Sequence, residues 1–132
     1  MKQIVVNGTF DILHRGHIEL LEYAKSLGDH LLVCIDTDER VSRLKGPDRP
    51  VNNQNDRKYM LESLQCVDSV TTFSSDQELE QILAHYQADI MVKGSDYQGR
   101  PIVGAELCKQ ILFYERVPNY STTQTIQRIA NR

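Results

Sequence analysis

The chain has no excess of positive charge, no long apolar run and no clustered cysteine, and each absence bears on function. With 15 Lys and Arg against 18 Asp and Glu, the net charge is -3. That argues against a nucleic-acid binder working through a basic surface, because neutralising many phosphates takes clustered Lys and Arg. Local basic pockets stay compatible with it. No apolar stretch is long enough to span a bilayer, and the chain starts on strand-like sequence without a signal peptide, so a soluble cytoplasmic protein is expected. Cys34, Cys66 and Cys108 are widely spaced and odd in number, which points to buried free thiols in a reducing compartment. No repeat, linker or low-complexity tract interrupts the 132 residues, which are expected to form one domain, 1–132, long enough to bury a core. The charged fraction of 25% and hydrophobic fraction of 40% are those of an ordinary globular protein.

What is present is an alternation of strand-length apolar runs with helix-period segments, the pattern of an α/β fold. Ile4-Val5-Val6 reads as a first strand and Leu31 to Ile35 as a second, apolar throughout as in a parallel sheet covered on both faces. Between them Ile18, Leu20, Leu21, Ala24 and Leu27 form a helical stripe, with Gly28 at the position expected of a C-cap. Residues 36–40 read as a polar loop, followed by the Gly- and Pro-punctuated segment Lys45-Gly46-Pro47-Asp48-Arg49-Pro50 and a helix around 57–64. Val67 to Phe73 is a third strand region. Ser75 and Glu78 make a capping-box pattern before Leu79, Ile82, Leu83 and Tyr86, spaced as one helix face. Ile90-Met91-Val92 and Ile111 to Tyr114 complete five strands, with a short helix over 104–109 and a second capping pattern, Ser121 and Gln124, ahead of Ile126 and Ile129. The expected architecture is a Rossmann-like, doubly wound, five-stranded parallel sheet. Ligands in such sheets bind beyond the carboxyl ends of the strands, where the strand order switches, so the loops after strands one, two, four and five should meet at one site.

The run Asn7-Gly8-Thr9-Phe10-Asp11-Ile12-Leu13-His14-Arg15-Gly16-His17 supplies the chemistry of that site. A strand ends in a glycine turn, whose freedom at positive φ allows close approach to a ligand. A helix then begins, its unpaired N–H groups and dipole favouring an anion. His14 and His17, three apart, share a face of the first turn and are suited to stabilise charge developing on a phosphoryl group. Either histidine alone would read as an ordinary surface or core residue; the whole strand-to-helix context makes it a phosphate site. Arg116 lies five residues before Ser121-Thr122-Thr123, and a guanidinium with a hydroxyl-rich helix start would grip a triphosphate from the opposite side. An ordinary helix cap is the alternative for those hydroxyls.

The motif resembles the signature Gly-(Thr/Ser/Cys)-Phe-Asp-x-x-His-x-Gly-His of the cytidylyltransferase-like nucleotidyltransferases, and the likeness extends along most of the chain. Arg116-Val117-Pro118-Asn119-Tyr120-Ser121-Thr122-Thr123 is similar to the Arg-Thr-x-Gly-Ile-Ser-Thr-Thr segment of glycerol-3-phosphate cytidylyltransferases. Asn119 stands in place of the glycine, while Val117 and Pro118 depart from the pattern. Leu44 to Asn52, Arg57, Val67-Asp68, Phe73-Ser74 and Val92 to Tyr97 are similar to the nucleotidyltransferase domain of the bifunctional heptose enzymes, which adenylylate a heptose 1-phosphate; that domain stands here without the sugar kinase.

The resemblance implies transfer of a nucleotidyl group to a phosphorylated acceptor with release of pyrophosphate. His14 and His17 would stabilise the transition state, Lys45 neutralise phosphate charge and Arg116 hold the leaving pyrophosphate. Gly8, Thr9, Phe10, Lys93, Gly94, Asp96, Tyr120, Ser121, Thr122 and Thr123 would surround the nucleotide, and Asp11, Asp38, Lys45 and Arg57 the acceptor. Asp11 would also help to hold Mg²⁺ brought by the triphosphate; an Asx-turn or helix cap is its structural alternative, as a solvated charge is for Lys45. The expected partners are a nucleoside triphosphate, ATP or CTP, and a sugar or polyol phosphate, in a homodimer, with neither nucleic acid nor membrane. The loop Phe73-Ser74-Ser75-Asp76 has no lysine for a small polyol phosphate, which favours ATP with a sugar 1-phosphate over CTP with glycerol 3-phosphate. A nucleotide-binding protein without turnover would keep the same cradle, and a structural metal site on the two histidines lacks third and fourth ligands nearby.

Overall fold

The structure, a computed structural model, describes residues 1–115, 126, 127, 129 and 130. Five parallel strands, β1 (Gln3–Gly8), β2 (His30–Asp36), β3 (Ser69–Phe73), β4 (Ile90–Gly94) and β5 (Gln110–Tyr114), form one sheet in the order β3-β2-β1-β4-β5. Between them run α1 (Arg15–Ser26), α2 (Asp38–Lys45), α3 (Gln54–Glu62) and α4 (Asp76–Tyr86), with 3-10 turns at Ser95–Tyr97 and Ala105–Leu107. The chain steps outward from β1 to β3 and then crosses to the other side of β1 to lay down β4. The order therefore switches between β1 and β4, which opens a crevice at their carboxyl ends.

Alternation along the strands divides the core between the two faces. Ile4 and Val6 of β1 pack with Leu31 and Val33 of β2 against Leu21 and Ala24 of α1 and Leu61 of α3. Val5, Leu32, Cys34 and Met91 point the other way, onto Leu79 and Leu83 of α4. Neither face meets water, which is why β2 reads as an unbroken apolar run. At the opposite end from the crevice, aspartates before the strands pin the register: Asp68 accepts from Leu31 N and Asp89 from Gln3 N, both at 2.8 Å. No helix of the described residues is long and apolar enough to cross a membrane.

Local signals place most elements within a few residues, and the departures have physical causes. Residues 36–40 are not a loop. Thr37 caps α2 with its hydroxyl accepting from Arg40 N, acidic Asp38 and Glu39 sit in the first turn, and Val41 is buried. A helix of eight residues with one buried position carries too little apolar periodicity to be read as one. Gly28 is not a left-handed cap: α1 ends at Leu27 in right-handed conformation, and a Cβ on Gly28 would lie 2.8 Å from Ile4 Cγ1 and from Lys2 O. Space, not φ, requires glycine there. Ser75 caps α4 as expected, accepting from Glu78 N, but the Glu78 carboxylate accepts from Ser74 Oγ. Of the cysteines only Cys34 is buried; Cys66 and Cys108 are partly exposed. The capping pattern at Ser121 and Gln124 lies outside the described residues.

Candidate active site

A cleft of 430 Å³ lies over the carboxyl ends of the strands, within the range that suits a small-molecule ligand. Segments following all five strands line it. Those after β1, β2, β4 and β5 were expected from the alternation; β3 also contributes, through Phe73 and, beyond it, Asp76 and Leu79 of α4.

The turn after β1 forms the floor, and its backbone differs from the sequence expectation. Gly8 stays in the strand, paired with Ile35, and the left-handed residue is Phe10, at φ 51. Gly8 is required because a Cβ there would stand 3.0 Å from Phe10 Cε2; the ring folded over the strand end takes the side chain's place. His14 then caps α1 in extended conformation, and its backbone N–H donates to His17 Nδ1 at 3.3 Å. With Nδ1 accepting, a neutral His17 carries its proton on Nε2. The two imidazoles stack, centroids 3.8 Å apart and planes 19° from parallel, and the Phe10 ring tilts against His17 at 5.1 Å. Both histidines line the cleft at a helix N-terminus, where N–H groups and dipole favour anions.

Cations flank this floor on two sides. Lys45, the last residue of α2, reaches back so that Nζ donates to Thr9 Oγ1 at 3.3 Å; the helix stops there because Gly46 takes φ 108. Lys93, near the end of β4, is buried with Nζ 4.2 Å from the centre of the Tyr97 ring. Gly94 and Thr9 also line the cleft. Arg49 and Arg40, which the sequence did not single out, complete the set. Arg49 lines the cleft with Nη2 buried and without a hydrogen-bond partner among the described residues. The signal for Arg40 was the Thr37 cap, which starts a helix and directs its first turn over the cleft. These charges act on Asp36: burial pushes its carboxyl above the usual range, and Arg40, Lys45, Arg57 and Lys93 pull it partly back. Cys34, pushed up to about 12 chiefly by burial, is a packing residue and no nucleophile.

Several residues expected to meet ligand make contacts within the protein. Asp11 is 1% exposed. Its two oxygens accept from Val51 N and Asn52 N, each at 2.8 Å, and Arg49 Nε lies at 3.4 Å. Asp11 thereby ties the turn after β1 to the segment before α3, and it does not line the cleft. Arg57, fully buried, donates to Thr9 O, Asn52 O and Asp38 Oδ1. Arg57 and Asp38 thus fasten the turn after β1 to α2 and α3, and neither lines the cleft. Asp96 is exposed and outside the cleft lining. Arg116, Tyr120, Ser121, Thr122 and Thr123 lie outside the described residues.

A model of the cytidylyltransferase-like family matches residues 5–128. The bifunctional protein HldE of Sulfurimonas denitrificans is 44% identical over 128 residues, 97% of this chain and 27% of that protein. The protein of the same name from Nitratiruptor sp. is 46% identical over 129 residues, 97% of this chain and 28% of its own length. The chain thus spans little more than a quarter of the curated relatives it matches. Among solved structures, the lipopolysaccharide core biosynthesis protein from Thermoplasma volcanium superposes with a TM-score of 0.72 at 26% identity, over 87% of this chain and 98% of that one. Pantothenate synthetase from Thermus thermophilus shares the fold, with a TM-score of 0.56 at 12% identity over 94% of this chain and 64% of that one.

Proposed function

The chain belongs to the cytidylyltransferase-like family, and on that premise we propose that it transfers the nucleotidyl group of ATP to a sugar phosphate, such as a heptose 1-phosphate, releasing pyrophosphate. An oxygen of the acceptor phosphate attacks the α-phosphorus. The new O–P bond forms as the bond to the bridging oxygen of pyrophosphate breaks, and no covalent enzyme intermediate is required. The observation that carries this reading is the stacked pair His14 and His17 at a helix N-terminus between the cations Lys45 and Lys93. Such donors, fixed before the substrate arrives, stabilise charge on the transferring group at little cost in reorganisation. Lys45 and Arg49 neutralise phosphate oxygens on one side and Lys93 on the other. Arg116 and the hydroxyls of Ser121, Thr122 and Thr123 are assigned to the leaving pyrophosphate on the resemblance of their segment alone.

Mg²⁺ supplies further charge neutralisation when it is bound with the triphosphate. The donors present fit a cation brought by the nucleotide rather than one caged by protein. Among the described residues no three His, Cys, Asp or Glu side chains gather into a metal site, and Asp11 accepts from two backbone N–H groups away from the cleft. The choice of a sugar acceptor is supported by the similarity to HldE proteins and to a lipopolysaccharide core biosynthesis protein.

The test is pyrophosphate release from matched pairs of nucleotide and acceptor. ATP with a heptose 1-phosphate or a related sugar 1-phosphate should outpace CTP with glycerol 3-phosphate. A tenfold advantage for the CTP pair would refute the sugar assignment, and no pyrophosphate from any pair would refute nucleotidyl transfer itself.

A further inference from the structure

The bank of the cleft formed by β2 and β3 carries side chains that the transfer step leaves unused. Asp36 closes β2, paired in register with Phe73 of β3, and its side chain is 14% exposed. Lys45, Arg57 and Lys93 act on it from farther off, and its one ion pair within 4 Å among the described residues is with Arg40, whose Nε stands 3.6 Å from Oδ2. That is an ion pair beyond hydrogen-bonding reach. Arg40 Nε is itself buried without a hydrogen-bond partner among the described residues. The guanidinium is held from elsewhere, Nη2 donating to Asp76 at 2.7 Å and the group lying 5.2 Å over the Phe73 ring.

A carboxylate with accepting capacity to spare thus stands beside an N–H donor with no acceptor, both lining the cleft. The group that satisfies both is one that donates and accepts, a hydroxyl. A phosphate would suit Arg40 but would be repelled by Asp36. Burial has raised the Asp36 carboxyl, and in such an environment a hydrogen bond to the ligand is stronger, and its loss costlier, than in water.

We propose that Asp36 and Arg40 recognise neighbouring hydroxyls of a polyhydroxylated acceptor, Asp36 accepting from one and Arg40 Nε donating to the next. This rests on the transfer reaction proposed above and makes the pair a determinant of its acceptor. The ribose of the nucleotide offers the same chemistry. The strand order favours the acceptor: the crevice between β1 and β4, with Lys93 and Tyr97 beside it, receives the nucleotide, and Asp36, Phe73 and Asp76 lie on the far side of β1.

The experiment compares the unmodified chain with Asp36→Asn and Arg40→Gln, using ATP and aldose 1-phosphates with and without single hydroxyls. Each substitution should lower kcat/KM for the fully hydroxylated acceptor by about tenfold to a hundredfold, the loss expected for a hydrogen bond to a charged group. The KM for ATP should stay within about twofold, and preference for the hydroxylated acceptor over its deoxy counterpart should shrink. Unchanged acceptor kinetics in folded variants, or a loss confined to ATP, would overturn the assignment. Arg40→Gln tests the same pair from its other member. Should the unmodified chain release no pyrophosphate, the transfer reading fails first. Calorimetric titration with the same sugar phosphates then decides the site, and either equal affinity in variant and unmodified chain or no binding to the unmodified chain would overturn it.

Discussion

Asp11→Ala removes a carboxylate that is 1% exposed and that accepts the backbone N–H groups of Val51 and Asn52 at 2.8 Å. Hydrogen bonds to a charged group contribute about 1.5–3 kcal/mol each, so the two together are worth about 3–6 kcal/mol. The Arg49 contact at 3.4 Å adds little. Because the loop can relax and admit water to the orphaned N–H groups, a loss of about 3–5 kcal/mol is expected, at the high end for a single substitution. The damage should spread. Asn52 also donates its side-chain amide to Asp11 O and accepts from Arg57 Nε, and Arg57 in turn holds Thr9 O. Asp11→Asn should rescue only in part, since the amide can accept one N–H but sets its own donor against the other. Urea denaturation followed by circular dichroism measures this. With a slope of about 1–3 kcal/mol per molar urea, the midpoint should fall by about 2 M for the alanine variant and less for asparagine. If the midpoint moves by less than about 0.3 M at such a slope while turnover collapses, the structural assignment is refuted and Asp11 acts on the substrate or its metal.

Three further outcomes follow from the geometry. His17→Ala should cut turnover by about a hundredfold to a thousandfold, the scale of losing one preorganised donor, while the denaturation midpoint reflects no more than the loss of one cap contact, about 1 kcal/mol; undiminished turnover would remove His17 from the chemistry. Asp36→Asn should be more stable than the unmodified chain near neutral pH. The native carboxyl is raised above its unfolded value of about 3.9, so the native state binds the proton more tightly and loses stability as pH rises through the native pKa. The gain should vanish below about pH 4, where both states are protonated, and a melting-temperature difference independent of pH would contradict it. Gly28→Ala should cost about 1–3 kcal/mol by overpacking, read as a lower denaturation midpoint; no change would show that the contacts to Ile4 and Lys2 give way freely.

The parallel α/β architecture and the position of the histidines were legible in the sequence because both are local. Alternating apolar periods set strand and helix, and His14 and His17 reach one place through a single strand, turn and helix start contiguous in the chain. Lys93 was legible for a similar reason, standing near the end of β4, whereas Lys45 entered on the resemblance of its segment, since the helix it ends carries too little apolar periodicity to be read. The roles of Asp11 and Arg57 were not legible. Their partners, Val51 and Asn52 for one and Thr9 and Asp38 for the other, lie up to 48 residues away, and no local pattern states whether a carboxylate will meet a ligand or two backbone N–H groups. Gly8 and Gly28 looked alike as turn glycines, yet both are demanded by atoms packed over them, which only the tertiary arrangement supplies. The pairing of Asp36 with Arg40 is likewise a product of assembly. Strand register sets Asp36 beside Phe73, the ring supports the guanidinium and Asp76 anchors it, so a stretch read only as a polar loop near the site becomes one wall of a ligand cleft.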